Sequence, residues 1–313
     1  MKGWQFTEIH KPLTLVELPD PTAGLDEVKI EVKTCGLCHS DVGIIEGVTT
    51  SALGKIPLIL GHEIAGIITE LGEGVTDFQV GDRVAVIAGA DTPGVVTDGG
   101  YANVTVSPTK FVVKIPDEVT FEEASSATDA GNTAYHAIAT TGEVKEGEKV
   151  GIIGLGGLGY LGVQIALALG AKVYGVELRE EARAAVEAFN VEKCVSDLSE
   201  LADENLDVII DFAGFGTTTA AAIDYVRPGG RIVLIGLGKG EATISSFKFV
   251  TKSLTMKSSI GGTREDLAEM FKLMAAKKVV PKITKIGFNE IPEGLKQLEE
   301  GKVTGRLVAV IDN

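Results

Sequence analysis

VGIIGLGGLGYLG, residues Val150 to Gly162, decides the fold. It opens a run, Val150 to Ala171, that carries no formal charge for 22 residues, long enough to span a bilayer. Glycines at 151, 154, 156, 157, 159 and 162 crowd its first half. They would break a membrane helix but suit a strand, a tight turn and a helix start. Gly154, Gly156 and Gly159, with Gly157 and Leu158 between, follow an apolar strand directly and open an apolar helix, the context that G-x-G-x-x-G requires. The first glycine permits the turn, the second lets a pyrophosphate approach the backbone, and the third lets helix and strand pack closely. Free N–H groups at the helix start then face the phosphates. Glu177 ends the next strand, 23 positions after Gly154, where a carboxylate accepts from both ribose hydroxyls and repels a 2'-phosphate. NAD is therefore expected over NADP, with Arg179 and Arg183 close by.

Downstream of Lys149, strands and helices alternate. Strands are expected near Val150 to Ile153, Lys172 to Val176, Cys194 to Val195, Asp207 to Phe212, Arg231 to Gly236 and Leu254 to Ser258, making an α/β, doubly wound parallel sheet of six strands. Upstream, from Met1 to about Pro116, short alternating segments such as VKIEVK (Val28 to Lys33), IAGIITEL (Ile64 to Leu71) and YANVTV (Tyr101 to Val106) read as an antiparallel, partly closed β-domain. Thr120 and Glu123 fit a capping box, and the Ala-rich run to Thr141 fits one helix. Helices at Glu265 to Ala276 and Pro292 to Glu300 and a strand at Arg306 to Ile311 are expected to return to the first domain.

At 313 residues and 44% hydrophobic, the chain suits two domains with large cores. A formal net charge of -15 argues against nucleic acid or an anionic membrane as partner. Cys35, Cys38 and Cys194 are the only cysteines, which does not resemble a disulfide framework and fits a reducing, cytoplasmic setting. MKGWQFTEIHKP has no apolar core of a signal peptide.

The chemistry concentrates in CGLCHSD, Cys35 to Asp41, read as one short loop with two thiols, an imidazole, a hydroxyl and a carboxylate. Three uses compete for its thiols: a redox couple, zinc ligation, or inert small apolar residues. Gly61, His62 and Glu63 add an imidazole and a carboxylate after an apolar run. His10 and His136 read as structural, Cys194 as a core residue, and LREEARAAVE (Leu178 to Glu187) as a solvated helix face.

CGLCHSD, GHE at Gly61 to Glu63, GDRV at Gly81 to Val84, GLGGLG at Gly154 to Gly159 and GR at Gly305 and Arg306 together resemble the zinc-dependent alcohol dehydrogenases of the medium-chain dehydrogenase/reductase superfamily, nearly end to end. The resemblance implies a mainly β, GroES-like catalytic domain (1–129 and 261–313) and a dinucleotide-binding Rossmann domain (130–260). It implies that Cys38 and His62 bind one catalytic Zn2+, that Asp41 steadies His62, and that Glu63 approaches the metal during ligand exchange. Asp129 falls where the third ligand lies, with Cys35 as the other candidate. Ser40 matches the hydroxyl that starts the proton relay, and His39 and Arg306 match pyrophosphate partners. Thr133, Gly236 and Leu237 match residues beside the nicotinamide, the last two ending the fifth strand.

Three departures stand out. Ala90 to Asp98 replaces the four-cysteine lobe of a second, structural zinc; Gly43 replaces a relay histidine; and a cysteine at 35 is unusual. Ala88 falls near where relatives place a large pocket side chain, hinting at room for a bulky alcohol. The implied activity is hydride transfer between an alcohol and NAD, with aldehyde or ketone reduction in reverse, in a homodimer or homotetramer. The rivals are a metal-free, NADPH-dependent quinone or enoyl reductase of the same superfamily and a non-catalytic cofactor-binding protein.

Overall fold

The computed structural model describes residues 1–311. The chain divides into two units, Met1–Asp129 with Thr263–Ala275 and Pro281–Asn313, and Ala130–Gly262 with Ala276–Val280. The boundaries expected from the sequence differ from these at Gly261, Gly262 and Ala276–Val280. Val280 joins the second unit because the Gln164 side chain bonds both its N–H and its carbonyl, at 2.8 and 3.2 Å.

The first unit is built on the strand Glu27–Leu37. Val28, Ile30 and Val32 are buried and alternate with the partly exposed Lys29, Glu31 and Lys33, as a half-buried strand requires. Its sheet runs Ile283–Gly287, Arg306–Val310, Glu27–Leu37, Glu63–Leu71, Arg83–Val86, Val112–Lys114, and Val104–Pro108 also pairs with Glu27–Leu37. Only the pair Ile283–Gly287 and Arg306–Val310 is parallel. Phe6, Leu37, Leu58, Ile64, Ile68 and Tyr101 fill the core and are fully buried.

CGLCHSD is not one loop: Cys35 to Leu37 end the long strand, held on one side by Glu63–Leu71 and on the other by Arg306–Val310, and His39–Ile45 is a helix. The strand expected at Tyr101 to Val106 begins later, at Val104–Pro108. Tyr101 instead bonds through its N–H to Leu60 and through its carbonyl to the N–H of Trp4.

Thr92 ties Ala90 to Asp98 back to Gly89, its hydroxyl accepting from the Gly89 N–H and donating to the Gly89 carbonyl, and Asp98 accepts from the Ile59 N–H at 3.0 Å and from Lys55 at 2.9 Å. The Thr120 and Glu123 capping box is present. The helix it starts is not continuous. Phe121–Ser126 is α-helical, Ala127–Gly131 and His136–Thr141 are π-helical, and Asn132–Tyr135 lies between them. Such wide turns are common at functional sites, and Asp129 sits in the first.

The second unit is a six-stranded parallel sheet ordered Lys193–Val195, Lys172–Val176, Lys149–Ile153, Leu206–Asp211, Val226–Leu234, Thr255–Ser258. The order reverses beside Lys149–Ile153, the doubly wound pattern in which ligands gather at strand C-termini. Gly154 there has φ +85°, a conformation that glycine adopts without steric cost. A Cβ on Gly159 would lie 1.8 Å from the Gly154 carbonyl, so the helix Gly157–Ala168 packs on the turn only because that atom is missing. The fifth strand ends at Leu234 rather than Gly236, because the N–H groups of Ile235 and Gly236 both turn back to the Asp211 carbonyl. Among the described residues, no helix is long and apolar enough to cross a membrane.

Candidate functional site

Four donor side chains converge in the first unit. Cys38 caps the helix His39–Ile45, His62 follows the φ +88° turn at Gly61, Glu63 opens the strand Glu63–Leu71, and Asp129 lies in the wide turn Ala127–Gly131. Their ligand atoms all lie within 4.8 Å of one another. The Cys38 thiol donates to Asp129 Oδ2 at 3.3 Å. His62 Nε2 is 3.7 Å from the same oxygen and 3.2 Å from Ser40 Oγ. Cys35 is not in this set. It is buried on the strand with its thiol toward the Gly36 carbonyl, so of the two candidates for a third donor the fold brings Asp129 to Cys38 and His62.

Behind the donors lies a second layer. Asp41, fully buried, places Oδ1 3.3 Å from His62 Nδ1 and accepts through Oδ2 from the Tyr101 hydroxyl at 2.8 Å and the Cys38 N–H at 3.4 Å. Arg306 is buried too, paired with Glu63 and donating to the Leu37 carbonyl at 3.4 Å. The register sets Gly36 directly opposite Glu63.

Burial governs the charges. It pushes the Glu63 carboxyl up to about 7 despite the Arg306 guanidinium. It also raises the Cys38 thiol, with the Asp129 charge adding to the effect. Desolvation opposes protonation of His62, but Asp41 and Asp129 outweigh it and move the imidazole up. Burial likewise works against the Asp129 carboxylate, yet hydrogen bonding and charge from His62 bring it down to about 2.

In the second unit a cavity of about 550 Å3 opens at the glycine turn, lined by Gly154, Gly156, Gly157, Leu158 and Gly159 with Glu177, Arg179, Ser196 and Asp197. Glu177 accepts from the Leu155 N–H at 3.1 Å and from the Arg179 N–H at 3.1 Å. Arg183 donates to the Glu177 and Leu178 carbonyls. His39, Thr133, Gly236, Leu237 and Arg306 are not part of this lining. His39 and Leu237 are exposed, and Thr133 is buried in its short helix.

The sequence reading missed Tyr101 and Gly36 at the first site and Ser196 and Asp197 at the second. Gly36 carried a signal, since a glycine inside a strand marks a close approach. Tyr101 carried none, because an aromatic in a β-pattern reads as core.

The family described as Zinc-binding dehydrogenase matches residues 157–276, and that described as Alcohol dehydrogenase GroES-like domain matches residues 24–117. An alcohol dehydrogenase of Geobacillus stearothermophilus is 33% identical, with all of both chains covered. The chain belongs to the zinc-type alcohol dehydrogenase family of the medium-chain superfamily. Among solved structures, the acetophenone reductase of Geotrichum candidum in complex with NAD is 29% identical, covers 99% of this chain and 96% of its own, and has a TM-score of 0.87. The cobalt- and zinc-bound alcohol dehydrogenase of Pyrobaculum aerophilum is 25% identical, covers 99% of each chain, and has a TM-score of 0.88.

The donor set of this zinc-type alcohol dehydrogenase fits its metal. Thiolate, imidazole and carboxylate are all zinc ligands. Three groups that can carry negative charge are crowded into one spot, Glu63 buried and Cys38 and Asp129 half-buried, and Glu63 Oε2 has no hydrogen-bond partner among the described residues. A cation there offsets both costs.

Proposed function

We propose that this chain is a zinc-dependent alcohol dehydrogenase that passes hydride between an alcohol and NAD, reducing an aldehyde or ketone in reverse. The observation that carries the reading is the convergence of Cys38, His62, Glu63 and Asp129 within 4.8 Å in a chain of this family. Cys38, His62 and Asp129 would hold one zinc, with Glu63 beside them. When bound, the ion supplies a Lewis acid to the reacting oxygen.

The remaining work falls to side chains. Ser40, exposed and 3.2 Å from His62 Nε2, takes the proton of the alcohol onward. Asp41 holds His62 through Nδ1 and so fixes which ring nitrogen faces the donors. The unit holding these residues acts as the catalytic domain and the other as the NAD domain. Free N–H groups at Gly157–Ala168 receive the pyrophosphate, and Glu177 receives the ribose hydroxyls. His39 and Arg306 are assigned to the pyrophosphate, and Thr133, Gly236 and Leu237 to the nicotinamide.

Ala88 bonds through its N–H to the Thr128 carbonyl, next to Asp129. Its small side chain supports a bulky or branched substrate. The three free cysteines support a cytoplasmic setting, and a homodimer or homotetramer is the assembly we assign.

Metal analysis joined to an alcohol and carbonyl screen with both cofactors tests the reading. About one zinc per chain, NAD preferred, and turnover lost on chelation and restored by zinc are expected. Ser40→Ala should lower kcat about 100-fold with zinc retained. Turnover that survives complete metal removal would replace this reading with a metal-free reductase.

A further inference from the structure

We propose that Tyr101 is a positioning residue for His62, acting at once on the backbone that carries the imidazole and on the carboxylate that orients it. The proposal rests on the zinc reading above.

Tyr101 is fully buried, yet its hydroxyl is spent on one atom, Asp41 Oδ2, at 2.8 Å. Asp41 is itself completely buried. A carboxylate has two oxygens, and here Oδ2 accepts from Tyr101 and, at 3.4 Å, from the Cys38 N–H. That leaves Oδ1 for His62 Nδ1, 3.3 Å away as an ion-pair contact, with no hydrogen bond to Oδ1 among the described residues. The other ring nitrogen, Nε2, then faces Ser40 and Asp129. Rotation of the Asp41 carboxylate would break the bond from Tyr101, so the phenol fixes the plane in which the imidazole is held.

The ring makes the second contact. A Cβ on Gly61 would lie 2.4 Å from Tyr101 Cδ1, so the aromatic face rests directly on the residue before His62. Gly61 has φ +88°, and both that angle and the ring require glycine there. The same turn is tied to the segment that supplies the ring. Gly100 donates to the Gly61 carbonyl at 2.7 Å, Tyr101 donates to the Leu60 carbonyl at 3.0 Å, and the Tyr101 carbonyl accepts from Trp4 at 2.8 Å. Tyr101 therefore cannot shift without moving Leu60 and Gly61. Metal sites tolerate little such movement, since ligands must be held within about 0.5 Å and 10–20° of their working geometry.

Tyr101→Phe keeps the ring and removes only the hydroxyl. Zinc affinity by chelator competition should fall about 10-fold, the lower end of what groups behind a ligand contribute. The visible spectrum of the cobalt(II)-substituted protein should shift as well. In the Asp41→Asn background the same change should add little. A purely structural tyrosine would lower the Tm of metal-free and zinc-loaded protein alike and leave affinity and spectrum unmoved; that result overturns the proposal while the zinc reading stands. A wild-type chain that binds no zinc overturns both. If Tyr101→Phe does not fold, 3-fluorotyrosine at position 101 retains ring and hydroxyl. Its fluorine resonance must then move on zinc addition, and a silent resonance overturns the proposal.

Discussion

A Cβ built on Gly36 would lie 1.9 Å from Glu63 Oε2, so the missing side chain of one residue is the seat of the other's carboxylate. The two face each other across the antiparallel pair, and neither strand can yield, because Glu27–Leu37 is also held by Arg306–Val310 and Glu63–Leu71 by Arg83–Val86. Gly36→Ala should cost about 1–3 kcal/mol by overpacking. In a Glu63→Ala background the carboxylate is gone, only the Cβ at 3.0 Å remains, and the cost should fall by more than half. Thermal unfolding of the four proteins measures both, and equal costs would show that the carboxylate does not need the glycine.

Asp129 reaches Cys38 across 91 positions of sequence. Asp129→Ala should weaken zinc binding by more than about 100-fold, beyond the range of an outer contact. Asp129→Cys should keep the metal, since thiolate is also a zinc ligand. Chelator competition reads both. Unchanged affinity in Asp129→Ala would remove Asp129 from the ligand set.

Glu177 has two tasks, one toward cofactor and one toward the glycine turn, where it accepts from the Leu155 N–H. Glu177→Ala should raise the KM for NAD about 10-fold and bring NADP closer to parity, because Arg179 loses its carboxylate partner and becomes available to a 2'-phosphate. Steady-state kinetics with both cofactors decide it, and an unchanged ratio of kcat/KM values would count against the assignment.

Asp207 joins the ends of two neighbouring strands through the Lys149 N–H at 2.8 Å and Arg227 Nε at 2.6 Å. Burial alone would raise its carboxyl, but these two partners outweigh it and hold it low. A lowered carboxyl contributes stability that is present above the unfolded value, about 3.9, and is lost as the pH falls through the folded one. Asp207→Asn should therefore cost about 2 kcal/mol at pH 7. Its Tm deficit should narrow below about pH 4 as the wild-type carboxylate protonates. A deficit independent of pH would show that the charge is not the source.

Much of this fold is written in short-range pattern. The glycine turn, the alternation before Pro116 and the capping box at Thr120 are each encoded by residues within a few positions of one another, and each formed as read except at Tyr101, where the strand starts later, at Val104. Errors came where distant partners intervened. CGLCHSD looks like a loop until Glu63–Leu71 and Arg306–Val310 flank its first half and extend the strand through Cys35. The Ala-rich run looks like one helix, yet it widens twice into π-helical turns, and Asp129 falls in the first of them.

By itself the sequence determined the doubly wound sheet, the dinucleotide turn and the supply of metal donors, because periodicity and turn chemistry act between neighbours. Only the tertiary structure decided which donors meet. It set Asp129 against Cys38, turned Cys35 into the strand and brought Tyr101 under Asp41 and Gly61. Those choices follow from strand register and chain crossings, which depend on how the whole core packs and leave no local mark at the residues they unite.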